Sequence, residues 1–224
     1  MDRPFATRRE AGEKLANKLS LYANRPDVLV LALPRGGVPV AYEVARALHA
    51  PLDVFVVRKL GVPGYEELAM GAIATGGVRI LNKELTTGME IPESLIDAIA
   101  HREQQELQRR ERLYRGDRPL PNVRGRTVIL VDDGLATGST MRAAAVALRQ
   151  MQPSKVIVAV PVGAQETCDE FREDVDEVVC AITPVPFRAV GAWYSDFSQT
   201  SDEEVRDLLQ KAAAHERDSS SPLS

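Results

Sequence analysis

Short, near-continuous apolar runs rich in β-branched residues recur along this chain, at Val28–Leu33, Leu52–Val57, Thr127–Val131, Val156–Val160 and Glu177–Ile182. They do not alternate with polar residues, so each predicts a strand covered on both faces. Between them the apolar positions fall at helical spacing and predict helices over Val38–Ala50, Pro92–Tyr114, Ser139–Met151 and Gln165–Arg172. Strand–helix–strand repetition implies right-handed crossovers. The expected fold class is α/β: an open, mostly parallel five-stranded sheet with helices on both faces. Two flanking helices are also predicted. Thr7–Tyr22 gathers Ala11, Leu15, Ala16 and Leu19 on one face, and Ser201 with Glu204 forms a capping box ahead of Val205, Leu208 and Leu209. The long segment Gly61–Leu81 reads as a hairpin, Ala69–Ala74 and Val78–Leu81 around Thr75-Gly76-Gly77.

Composition narrows the class without naming it. A chain of 224 residues is long enough for one well-buried core, so residues 1–217 are read as a single domain and the polar 218–224 as a disordered tail. A net charge of −4 offers no long-range attraction for nucleic acid or an acidic membrane. No apolar run approaches the ~20 residues of a membrane helix, and the N-terminus lacks the apolar stretch of a signal peptide. A cytoplasmic location is therefore expected. Cys168 and Cys180 lack CxxC spacing and are read as two buried or half-buried thiols in a reducing compartment. His49, His101 and His215 form no catalytic constellation and read as surface residues.

The chemistry gathers where the strands end. In an open parallel sheet the ligand lies beyond the carboxyl ends of the strands. Here the first strand runs into Pro34-Arg35-Gly36-Gly37, the second into Arg58-Lys59, and the third into Asp132-Asp133-Gly134-Leu135-Ala136-Thr137-Gly138-Ser139-Thr140. A small, glycine-containing turn at a helix start aims backbone N–H groups at an anion, and the helix dipole adds to the attraction. The hydroxyls of Thr137, Ser139 and Thr140 supply further donors. Two carboxylates just ahead of such a cradle would repel the phosphate unless they contact another part of the ligand. Ribose hydroxyls a few ångströms from a 5′-phosphate satisfy both halves of the loop.

Val128–Thr140 resembles the signature of the type I phosphoribosyltransferases: four apolar strand residues, an acidic pair, then a Thr-Gly turn. The resemblance implies phosphoribosyl pyrophosphate (PRPP) as the ligand. Asp132 and Asp133 would then hold the ribose 2′- and 3′-hydroxyls, and Ala136, Thr137, Gly138, Ser139 and Thr140 the 5′-phosphate. Gly134 departs from the pattern, standing where the family usually has an aliphatic residue, which implies a looser local backbone. Pro34-Arg35-Gly36-Gly37 resembles the pyrophosphate loop, assigning Arg35, Gly36 and Gly37 to that group, and Arg58 and Lys59 resemble a basic pair with the same role. Alone, the first of these is also an ordinary turn and the second a solvated strand end.

By the same resemblance, the hairpin folds over bound pyrophosphate, and hood segments at 61–81 and 183–200 hold the acceptor. Trp193, Tyr194 and Phe197 are the candidate stacking residues. The implied reaction is transfer of the 5-phosphoribosyl group to a purine, pyrimidine or related nitrogen base with release of pyrophosphate. Mg²⁺ would be held mainly by ligand oxygens and water. Expected partners are PRPP and a small nitrogen base, with no nucleic acid and no membrane, and a homodimer stays open. Two other readings stand beside this one: a non-catalytic PRPP sensor with the same fold, and a nucleotide-binding α/β protein unrelated to ribosyl transfer.

Overall fold

The computed structural model describes residues 3–220. Five strands form a parallel sheet: β1 (Val28–Ala32), β2 (Leu52–Val54), β6 (Thr127–Val131), β7 (Lys155–Val162) and β8 (Glu177–Ile182), in the order β2-β1-β6-β7-β8. Alternate side chains of β1 divide between two cores. Val28, Val30 and Ala32 face α1 (Arg8–Lys18), α2 (Gly37–Leu48), α4 (Glu93–Arg115) and α7 (Asp202–Ser220). Leu29 and Leu31 face α5 (Ser139–Gln150) and α6 (Gln165–Asp174). A strand buried on both faces needs apolar residues at every position, which is why these runs do not alternate.

Caps fix the ends of the helices. The Thr7 side chain accepts from Glu10 N at 3.3 Å, and Ser201 Oγ accepts from Glu204 N at 3.1 Å. The predicted apolar face of α1 is buried, with Ala11, Leu15 and Leu19 all at 0% exposure. α7 runs from Asp202 to Ser220. Of the tail expected at 218–224, residues 221–224 lie outside the described residues.

The apolar run Leu52–Val57 proves to be two strands instead of one. β2 ends at Val54, and the chain turns at Phe55-Val56 into β3 (Val57–Val62), which joins β4 (Tyr65–Ala74) and β5 (Val78–Leu81) in a separate antiparallel sheet. Thr75, fully buried, clamps the bend. Its N–H donates to Val56 O and its Oγ1 accepts from Val56 N, both at 2.9 Å. An unbroken apolar run carries no mark of such a bend, because Phe55 and Val56 are buried on either side of it. The hairpin predicted around Thr75-Gly76-Gly77 is present as β4 and β5, followed by the short α3 (Lys83–Gly88).

The two cysteines are not separate thiols: Cys168 of α6 and Cys180 of β8 are joined in a disulfide. They stand twelve positions apart in sequence, and the turn from α6 into β8 brings them together, a closeness that spacing alone does not reveal.

Candidate functional site

β2 and β6 flank β1 on opposite sides, so the order of strands reverses at the β1–β6 pair, where open α/β sheets bind ligands. Ala32 pairs with Val131, and Leu33 N donates to Val131 O at 2.9 Å. The Pro34–Gly37 loop and the acidic loop therefore leave the sheet side by side. Their contact is close enough to require glycine. A Cβ on Gly36 would collide with the Asp133 carboxylate, and one on Gly37 would stand 2.8 Å from Val131 O. The Pro34–Arg35 peptide is cis. Arg35 is about one-third exposed, and its guanidinium lies 3.8 Å from Asp202 at the start of α7.

The acidic pair is half-buried. Asp132 Oδ1 accepts from Asp133 N at 2.8 Å, and Asp133 Oδ2 receives Arg8 through both Nε and Nη2 at 2.9 Å. Burial, followed by the neighbouring Asp133 charge, pushes the Asp132 carboxyl well above the usual carboxylate range. Burial also raises Asp133, with Arg8 opposing it. The site thus concentrates more negative charge than Arg8 offsets, which suits it to hydroxyl donors or a cation.

The turn that follows is anchored from below and open above. Leu135 is buried and forms a β-bridge with Gly163. Thr167 Oγ1 of α6 donates to Ala136 O at 2.7 Å. Ala136, Thr137, Ser139 and Thr140 are exposed or half-buried. Gly138 has φ +71° at the N-cap of α5, and a Cβ there would meet the Phe171 ring. No side chain caps this helix, and uncapped N–H groups at a helix start are suited to an anion. Gly134, the departure from the family pattern, is packed closely against Val190. A Cβ there would overlap the Val190 side chain, which occupies the space of the missing aliphatic group.

Two sequence-based assignments change. Arg58 lies inside β3 rather than at the end of a strand of the main sheet, and its guanidinium bonds Glu103 of α4 at 2.7 and 3.0 Å. Alternation along β3 turns exposed Lys59 to the opposite face. Tyr194 is buried, and its hydroxyl donates to Asp133 O at 2.5 Å while its ring packs on Phe5 and Phe197. It is a support for the acidic loop and has no open face for a base. Trp193 is half-buried and Phe197 is 39% exposed, which leaves these two as the more open of the three aromatics.

Arg8 is the residue that sequence reasoning missed. Besides binding Asp133, it donates from Nη1 to Ser198 O at 2.7 Å and lies 4.1 Å over the Phe197 ring. One guanidinium thus ties α1, the acidic pair and the 183–200 segment together, although Arg8 and Asp133 stand 125 residues apart in sequence. Arg8→Ala is expected to lower the thermal midpoint by several degrees, because it strips Asp133 of its counter-charge and unpins Ser198. Arg8→Lys should recover only part of the loss, since a lysine cannot make the forked contact. Thermal melts of the two variants check this. Equal midpoints for wild type and Arg8→Ala would show that the pair contributes nothing.

The phosphoribosyl transferase domain family matches residues 63–194, more than half of the chain. A "Putative phosphoribosyl transferase" of Mycobacterium tuberculosis is 47% identical over 208 residues, 93% of this chain; the chain spans only 47% of that relative's length. The "Bifunctional protein PyrR" of Corynebacterium diphtheriae is 32% identical over 128 residues, covering 54% of this chain and 65% of that protein. Among solved structures, TT1426 from Thermus thermophilus superposes with a TM-score of 0.82 at 42% identity, covering 93% of this chain and 98% of that one. The family match over more than half of the chain and these likenesses agree, and the chain belongs to the phosphoribosyl transferase domain family.

Proposed function

We propose that this chain binds PRPP and transfers its 5-phosphoribosyl group to a nitrogen base, releasing pyrophosphate. The observation that carries the reading is the juxtaposition at the β1–β6 switch point of a half-buried acidic pair with an uncapped helix start. A ribose 5-phosphate spans those two features, with hydroxyls on Asp132 and Asp133 and phosphate on the Ala136–Thr140 turn. In the transfer, the bond from C1′ to the pyrophosphate oxygen breaks and a bond from C1′ to the acceptor nitrogen forms. Negative charge moves onto the leaving pyrophosphate while positive charge develops on the ribose. Asp132 and Asp133 favour that positive charge, and Arg35 with the N–H groups of the neighbouring loop favours the departing anion.

The residues fit Mg²⁺: two carboxylates against the single Arg8 guanidinium supply hard oxygen donors. When bound, Mg²⁺ supplies neutralising charge for pyrophosphate. Among the described residues no cluster of three His, Cys, Asp or Glu could hold a metal, so ligand oxygens and water would complete its shell. Arg35 and Lys59 are the residues proposed for the pyrophosphate end; Arg58 is ion-paired with Glu103. No helix among the described residues is long and apolar enough to cross a membrane.

The pyrophosphate and ribose ends are separable by titration. Arg35→Ala and Lys59→Ala are expected to weaken binding of PRPP and pyrophosphate by about tenfold, leaving ribose 5-phosphate nearly unchanged. Calorimetry with the three ligands checks this, and equal losses for all three would remove both residues from the pyrophosphate end. For the acceptor, Trp193→Ala or Phe197→Ala should keep most of the PRPP affinity while losing base binding. Stacking of this kind is worth about 1–3 kcal/mol. Tyr194→Ala should instead melt several degrees lower, because it leaves a hole in the Phe5–Val162 cluster. A fall in midpoint for Trp193→Ala or Phe197→Ala, with base affinity unchanged, would assign those residues to packing.

A further inference from the structure

The phosphate turn rests on a helix that is itself held by the disulfide. α6 contributes Cys168 to the disulfide, Thr167 to the bond with Ala136 O, and Phe171 to the wall against Gly138. Gly163 lies where the two meet. A Cβ there would stand 2.6 Å from Cys168 Sγ, 3.5 Å from Cys180 Sγ and 3.3 Å from Leu135 Cβ. Leu135 N donates to Val162 O at 2.9 Å, and Ala164 N to Leu135 O at 3.0 Å. The disulfide and the turn are therefore separated by one layer of packed atoms. Both cysteines border a cavity of about 250 Å³ that Lys18, Gln165, Arg172 and Thr183 also line, and Cys180, half-buried, is the more open of the two sulfur-bearing residues. Cys168 is 2% exposed. Two cations and no carboxylate line this opening, although Arg172 also bonds Asp169 at 2.6 Å.

We propose that Cys168–Cys180 is a thiol-exchange site for a small anionic thiol, and that its reduction loosens the Leu135–Thr140 turn. A thiolate entering the cavity attacks Cys180 Sγ, forming a mixed disulfide there and breaking the Sγ–Sγ bond. Cys168 leaves as a thiolate, which the start of α6 favours. A second thiolate attacks the mixed disulfide. The products are the Cys180 thiolate and the reductant's own disulfide, so two electrons pass from two thiols to the protein. With α6 no longer tied to β8, Thr167 and Phe171 hold the turn less firmly. The consequence for ligand rests on the reading of that turn as the 5′-phosphate cradle; the looseness itself does not.

The test compares the full chain in its oxidised and reduced forms by amide hydrogen exchange, and titrates each with ribose 5-phosphate. Reduction is expected to speed exchange across 135–140 and α6 by about tenfold, as when a local opening becomes easier. Cys168→Ser and Cys180→Ser should exchange like the reduced protein under both conditions. Ribose 5-phosphate should bind several-fold more weakly to the reduced form. Faster exchange with no ribose 5-phosphate binding in either form would support the linkage and overturn the cradle. Identical exchange in the two forms would overturn the linkage. For the entering thiol, 2-mercaptoethanesulfonate should gain over neutral 2-mercaptoethanol in wild type and lose that gain in Lys18→Glu. An unchanged ratio would overturn the anionic preference.

Discussion

Asp132→Asn is expected to weaken PRPP binding about ten- to a hundredfold while raising the thermal midpoint of the unliganded protein. The loss follows from one charge-assisted hydrogen bond to ribose, worth ~1.5–3 kcal/mol. The gain in stability follows from the environment of the carboxylate. Burial and the Asp133 charge hold the Asp132 carboxyl well above its ordinary range, so ionising it opposes folding. Because its folded pKa is raised, this cost is complete at high pH and is relieved as pH falls through the raised value. The wild type should gain stability relative to Asp132→Asn as pH falls through that raised value, above the ordinary carboxylate pKa of ~4. Asp133→Asn should behave differently, because it leaves Arg8, only 12% exposed, without its carboxylate partner. That variant should lose both affinity and midpoint. Calorimetry and melts across pH check the set, and PRPP affinity unchanged in Asp132→Asn would remove the pair from the ribose site.

Gly138→Val should have the second large effect, on ligand and fold together. The residue has φ +71°, a region that costs a β-branched side chain ~1–2 kcal/mol or more. Its Cβ would also press on the Phe171 ring, where Phe171 is fully buried and Arg142 lies 4.8 Å over its face. The start of α5 must shift, and with it the uncapped N–H groups of the cradle. PRPP and ribose 5-phosphate should both bind at least about tenfold more weakly, since the phosphate contacts are charge-assisted. The midpoint should fall by several degrees. Gly138→Ala, which has the same φ problem and a smaller side chain, should show a milder form of both losses. Ribose 5-phosphate binding Gly138→Val as well as wild type would place the cradle elsewhere.

The fold was legible because its signals are local. Unbroken apolar runs mark strands buried on two faces, and β1, β6, β7 and β8 lie where those runs predict. Caps such as Thr7 and Ser201 sit within three residues of the groups they bind. The acidic loop and the Pro34–Gly37 loop were legible as strand ends, and the β1–β6 register places them together. What failed was non-local. Arg8 reaches Asp133 across 125 residues, and nothing in the helix pattern of Thr7–Tyr22 distinguishes it from Arg9. The β2–β3 bend is set by Thr75, and its displacement of Arg58 into the second sheet follows from that clamp. Tyr194 looked like one of three aromatics in a polar segment, yet only the packing shows which of them is buried. The Val190 contact at Gly134 likewise depends on the return of a segment more than fifty residues away.

The most direct test of the central claim is pyrophosphate release from PRPP and Mg²⁺ in the presence of a panel of purine, pyrimidine and related bases. Wild type is predicted to release pyrophosphate with at least one base, in step with formation of the corresponding nucleotide. The Asp132→Asn/Asp133→Asn double variant is predicted to release none. Tight PRPP binding without release for any base would contradict the transfer reaction and leave a PRPP-binding sensor in its place.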